Sequence, residues 1–143
     1  MNDDGGPDRE RHLRFMLYRA ELTEPIVAAF YHVHRVLGHG HLESVYERAM
    51  EIELRRRGLP VERQVPVTVY YEGEEVGYFV ADLVVSGSVI VELKAAARLT
   101  AAHEAQLINY LCCSNMEIGL LCNFGVEPQV SRFVGPEARR RSR

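Results

Sequence analysis

Phe79-Val80-Ala81-Asp82-Leu83-Val84-Val85-Ser86-Gly87-Ser88-Val89-Ile90-Val91-Glu92-Leu93-Lys94 is the stretch of this sequence that decides its architecture. Two runs of β-branched and apolar residues flank Ser86-Gly87-Ser88, a turn signal, so the segment predicts a hairpin. Leu83-Val84-Val85 and Val89-Ile90-Val91 are apolar at every position. Such strands belong in the middle of a sheet covered on both faces. Three charged residues interrupt this setting: Asp82, Glu92 and Lys94. Placing charges on inner strands costs several kcal/mol each unless they are paired or metal-bound. A three-residue loop centred on Gly87 sets Asp82 opposite Glu92, with Cβ atoms about 5 Å apart. A two-residue Ser86-Gly87 loop would set Asp82 opposite Val91 and separate the carboxylates. Lys94, two residues beyond Glu92, projects from the same face. Two opposed carboxylates and one ammonium suit a hard divalent cation such as Mg2+, which takes one or two protein carboxylates and keeps several waters. A ligand-free salt-bridge cluster is equally compatible with this spacing.

Composition sharpens the interest in these three residues. The 143-residue chain carries 17 basic and 20 acidic residues, a formal net charge of −3. Sixteen of the basic residues are arginine and the single lysine is Lys94. Codon bias explains the arginines but not the exception, and arginine cannot replace lysine where a compact ammonium is required. Of four aspartates, Asp3, Asp4 and Asp8 lie in the polar N-terminal stretch, leaving Asp82 alone in the body. With 47% hydrophobic and 26% charged residues, the chain has the composition of one globular domain. No apolar run approaches the ~20 residues of a membrane span, and MNDDGGPDRER is no apolar signal segment, so a cytoplasmic setting without membrane contact is expected. Cys112, Cys113 and Cys122 form no disulfide framework. Net negative charge argues against strong nonspecific electrostatic binding of nucleic acid, yet allows a local basic surface.

Working outward, residues 1–22 read as a flexible or weakly helical segment and residues 23–135 as the domain. Residues 136–143 read as a basic tail whose run ARRRSR is a solvated end. Thr23 is expected to cap a helix with Glu24 and Pro25 in its first turn. Ile26, Phe30, Val33 and Leu37 form its stripe, and Gly38 and Gly40 stop it. A second helix is expected over 42–57, with Leu42, Val45, Ala49 and Ile52 as its apolar face. Val65, Val67 and Val69 alternate as a first strand, followed by strands over 76–85 and 89–93. Thr100 caps a third helix running to about Cys113. Ile118 to Cys122 reads as a buried strand with Gly119 and Gly125 as weak points, and Val130 to Val134 as an edge strand. The order αα-βββ-α-β(β) describes an α+β, or mixed α/β, sandwich.

Gly40-His41-Leu42-Glu43-Ser44-Val45-Tyr46 matches G-x-x-E-x-x-Y, followed in order by Asp82, Glu92-Leu93-Lys94, Gln106 and Tyr110. Over about Thr23 to Gly125, this ordered set resembles the GxxExxY proteins of the PD-(D/E)XK nuclease-like superfamily, RecB-like branch. The resemblance implies a restriction-endonuclease-like core, a mixed central sheet flanked by helices, and hydrolysis of nucleic-acid phosphodiesters. It makes Asp82 and Glu92 metal-binding acids, the Leu93 carbonyl a further ligand and Lys94 the catalytic lysine. Glu43 corresponds to an additional helix acid, Gln106 and Tyr110 to a Q-x-x-x-Y element, and His34 to a helix histidine near the metal. The implied cofactor is Mg2+, with Mn2+ as surrogate. The implied partner is nucleic acid, DNA ahead of RNA, with a homodimer or protein partner to help hold it. Two departures stand out: Ala81 replaces the usual proline before the first acid, and Val80 stands where a polar or basic residue is common.

The residues keep simpler explanations alongside these. Glu43 is also a favourable acid at a helix start, and Tyr46 is a packing residue whose hydroxyl needs a partner. His34 and the pair Gln106 and Tyr110 are compatible with satisfied packing. A zinc site from His32, His34, His39, His41 and the cysteines lacks the ligand spacing of known sites. Tyr70-Tyr71 marks a strand with one exposed ring. A nuclease-fold protein that binds nucleic acid or a protein without cutting is the alternative function.

Overall fold

The computed structural model describes residues 6–17 and 19–136. The order is α1 (Pro7–Leu17), α2 (Ala20–Leu37), α3 (Glu43–Arg56), β1 (Val61–Tyr71), β2 (Glu74–Val85), β3 (Val89–Lys94), α4 (Ala101–Cys113), β4 (Ile118–Phe124) and β5 (Pro128–Val134). The strands form one sheet in the order β1-β2-β3-β4-β5. β1, β2 and β3 make an antiparallel meander, β3 and β4 run parallel with α4 as the crossover, and β5 returns antiparallel to β4. This is a mixed α+β sandwich, and the apolar runs of β2 and β3 occupy inner positions of its sheet.

Two apolar layers hold the helices to the sheet. On one face, Ile26, Phe30 and Val33 of α2 and Tyr46, Met50 and Leu54 of α3 pack over Leu83, Val85, Val91, Leu93, Leu120 and Phe124. On the other, Leu107 and Leu111 of α4 pack over Ala81, Val84, Ile90 and Leu121. Gly119 is no weak point in β4: a Cβ there would lie 2.9 Å from Leu107. The missing side chain lets α4 approach the sheet.

Four expectations from the sequence need correction. Residues 7–17, inside the segment expected to be flexible or weakly helical, form a regular helix, α1; residues 1–5 and 18 of that segment lie outside those described. Helix α2 starts at Ala20, before Thr23, and runs through Pro25. Leu22 and Ile26, one turn apart, are both buried, so packing extends the helix; Thr23 lies within it and its hydroxyl meets the Arg19 carbonyl at 3.4 Å. Most of the expected apolar face of α3 points outward: Ala49 packs against the core, but Leu42, just before the helix, is 75% exposed, and Val45 and Ile52 are exposed too. The inward face is Tyr46, Met50 and Leu54 together with Glu47 and Glu51. Those two acids stay buried because Gln64 donates to both Glu47 oxygens, while Arg48, Arg55 and Arg63 pair with Glu51. Finally, β1 begins at Val61 and β5 at Pro128, each earlier than the alternating pattern indicated. The last residues of the expected basic tail, 137–143, lie outside the described residues.

Candidate active site

The β2–β3 turn has the longer of the two loops the sequence allowed. Ser86 and Gly87 both take positive φ, and the Ser88 N–H closes the turn on the Val85 carbonyl at 3.1 Å. Val85 pairs with Val89, Val84 with Ile90 and Leu83 with Val91. The next level holds Asp82 and Glu92. There the ladder is made by side chains: the Asp82 N–H donates to Glu92 Oε1 at 3.1 Å, and the Leu93 N–H donates to Asp82 Oδ2 at 2.9 Å. Each carboxylate substitutes for a carbonyl of the facing strand, satisfying a backbone donor where the strands part.

Glu92 is 6% exposed and Asp82 half-buried. Burial first, and then the Asp82 charge, push the Glu92 carboxyl up to about 8; the Asp82 N–H and the Lys94 ammonium act in the opposite direction. Two acids held this closely disfavour double ionisation unless a cation joins them. Lys94 is half-buried beyond Glu92 on β3. Tyr110 of α4 borders the same pair: its hydroxyl is raised by burial, then by the charges of Glu92 and Asp82. The Tyr110 ring stacks on Phe79 of β2 with centroids 3.7 Å apart and planes at 4°. Gln106 lies one turn earlier on α4 and is exposed. Asp82, Glu92, Lys94 and Tyr110 thus form a cationic and anionic cluster between the sheet and α4.

The other residues singled out from the sequence lie elsewhere. Glu43 is the exposed first residue of α3. Among the described residues, no group of three or more His, Cys, Asp or Glu is placed to hold a metal ion, so Glu43 does not complete a triad with Asp82 and Glu92. Tyr46 is fully buried. Its hydroxyl donates to the Gly38 carbonyl at 2.7 Å and accepts the His41 N–H at 3.2 Å, while its ring stacks on Phe124 at 4.1 Å. His34 Nε2 lies 2.8 Å from the Gly125 carbonyl. Tyr46 and His34 therefore tie α2, α3 and the loop between them to the end of β4. Cys112 and Cys113 are exposed; burial pushes the Cys122 thiol up to about 12, which keeps it an unreactive packing group.

A family model for the PD-(D/E)XK nuclease superfamily matches residues 20–133. The chain belongs to this superfamily. Among solved structures, the PD-(D/E)XK domain superposes on the crystal structure of SSO0001 with a TM-score of 0.53 at 18% identity. That match covers 68% of this chain and 53% of the other, and it supports the fold alone. No curated protein matches the sequence significantly.

Three residues of this PD-(D/E)XK domain escaped the reading of its sequence. Asn123 is fully buried on β4, paired in register with Lys94. Its amide donates to the Ala96 carbonyl at 3.0 Å and accepts the Ala96 N–H at 2.9 Å, so it fixes the chain just after the lysine. A lone amide in the otherwise apolar strand Ile118–Phe124 was its signal. Gly125, expected as a weak point of the strand, instead lets this segment approach, since a Cβ there would lie 2.6 Å from the Ala96 carbonyl oxygen. Phe79 walls the acids through Tyr110, and nothing in the alternation of β2 distinguishes it. Gln64, with φ +53 inside a strand, has no local sequence signal at all.

Proposed function

We propose that this domain is a metal-dependent nuclease of the GxxExxY kind, in the RecB-like branch, hydrolysing nucleic-acid phosphodiesters. The reciprocal Asp82–Glu92 pair carries the reading. It joins two hard oxygen donors, one of them reluctant to ionise, beside the chain's single lysine. That donor set fits a divalent cation, Mg2+ or Mn2+, with waters filling its remaining positions. When bound, such a cation lowers the pKa of a coordinated water and stabilises charge on phosphate oxygens.

In this reading Asp82 and Glu92 hold the cation, with the Leu93 carbonyl as a further donor. Lys94 orients the attacking water and balances phosphate charge. Glu43 keeps the auxiliary role that the resemblance implies, from its exposed place at the start of α3. Tyr110 and Gln106 bound the substrate on the α4 side, while Tyr46 and His34 hold the far end of β4. DNA is the proposed substrate ahead of RNA, in a cytoplasmic setting; no helix among the described residues is long and apolar enough to cross a membrane. The exposed stripe Val36, Leu42, Val45 and Ile52 supports a homodimer or protein partner that helps grip the substrate. One observation favours the non-cutting alternative, a nucleic-acid or protein binder: no third acid joins the pair among the described residues.

The test is cleavage of single- and double-stranded DNA and RNA with Mg2+, Mn2+ or EDTA. We expect metal-dependent cleavage that falls at least ~100-fold in Asp82→Ala, and nearly as far in Lys94→Arg with the fold intact. Cleavage insensitive to both substitutions rejects this site. Nucleic-acid binding without metal uptake or cleavage selects the alternative.

A further inference from the structure

Alternate residues of a strand face opposite sides of a sheet, and two strands here break that rule at one level. In β1, Val61 packs with the α2–α3 core, yet Val65, four residues on, packs with the α4 cluster. In β2, Leu83 and Val85 pack with the α2–α3 core, yet Ala81 joins the α4 cluster. The slip falls between the pairs Arg63–Leu83 and Val65–Ala81, which bracket Gln64 and Asp82. Gln64 has φ +53, the one described strand residue in the left-handed region. For a residue other than glycine this costs on the order of 1–3 kcal/mol and persists only where the surroundings impose it. The imposing group is visible. The Gln64 residue is exposed, but its amide nitrogen donates to both oxygens of the buried Glu47 at 3.0 and 2.9 Å. Arg63 adds a 3.8 Å contact to the same carboxylate.

We propose that Glu47 of α3 is a positioning residue for the acid pair: by holding Gln64 left-handed, it fixes the phase slip that brings Asp82 onto Leu93 and Glu92. The proposal rests on the metal-site reading for its functional meaning, but its structural core stands on the Asp82–Leu93 contact.

Two readouts test it. The Leu93 amide resonance, in metal-free protein, reports whether Asp82 still accepts its N–H, with Asp82→Asn as calibration. Calorimetric titration with Mn2+ reports the pair's geometry. In Glu47→Ala we expect the Leu93 resonance to move toward that of Asp82→Asn and Mn2+ affinity to fall about tenfold, the scale on which groups supporting metal ligands act. Gln64→Gly adopts positive φ without help, so it should stay within about threefold of wild type. The double variant Glu47→Ala/Gln64→Gly should recover to the level of Gln64→Gly. Should Glu47→Ala fail to fold, Gln64→Val replaces it, because a β-branched residue resists the left-handed region; it should show the same Leu93 shift. An unchanged Leu93 resonance in these variants, or a double variant whose losses simply add, overturns the proposal. Absence of Mn2+ binding in the wild type rejects the metal reading instead, while the Leu93 resonance still decides the positioning claim.

Discussion

Glu92 shows how a single group links folding to function. Its carboxyl is pushed from the ordinary glutamate range up to about 8, by burial first and by Asp82 second. The folded protein therefore holds a proton on Glu92 that the unfolded chain has already lost between about pH 4.5 and 8. The unfolded state binds fewer protons in that window, so stability falls as pH rises through it. Glu92→Gln should remove this contribution and raise metal-free stability at pH 8 by roughly 1–3 kcal/mol, with little change near pH 4. Denaturant titrations at the two pH values check this. The same proton competes with a cation, so Mn2+ affinity should rise with pH toward 8 and then level off. A stability gain equal at both pH values would show that the wild-type carboxyl is not raised.

At the scale of elements, α3 carries the clearest lesson. Its apolar residues at 45, 49 and 52 trace a helical stripe, yet Tyr46, Met50 and Leu54 form the face that meets the sheet. The inward face was hidden because two glutamates share it, and the β1 groups that help keep them buried, Arg63 on Glu51 and the Gln64 amide on Glu47, are distant in sequence. Met50→Ala should cost about 2–5 kcal/mol, whereas Ile52→Ala should stay within ~1 kcal/mol. Equal losses in thermal unfolding would return the stripe to the core. Helix α4 makes the complementary case, since Gly119 beneath it leaves no room for a methyl group. Gly119→Ala should cost about 1–3 kcal/mol by overpacking, measured by the same unfolding transition.

For the whole molecule, the proposed cation site ties metal binding to folding, because its ligands come together only in the folded chain. A ligand that binds only the folded state stabilises it by about 2.7 kcal/mol at a hundredfold excess over its Kd. Mn2+ should therefore raise the unfolding temperature by several degrees, with EDTA reversing the shift and Asp82→Ala abolishing it. A rise of the same size in Asp82→Ala would place the cation elsewhere. The sheet makes such coupling possible: β2, β3 and α4 meet only in the folded chain, so Asp82, Glu92 and Tyr110 share no site before it forms.

What the sequence determined by itself was local. Period-two runs marked the strands, and Thr100 marked the start of α4, where its hydroxyl accepts the His103 N–H at 3.3 Å. The Ser86-Gly87-Ser88 turn, with the alternation around it, brought Asp82 level with Glu92 because hairpin register follows from loop length. The ordered motif from Gly40 to Tyr110 carried the resemblance to the superfamily. Tertiary structure alone decided the rest. The early start of α2 and the inward face of α3 depend on partners distant in the chain. So do the Asn123 clamp on Ala96 and the left-handed Gln64 opposite Asp82. A buried polar group or a strained φ is tolerable only where a remote residue satisfies it, and a linear pattern carries no record of that residue.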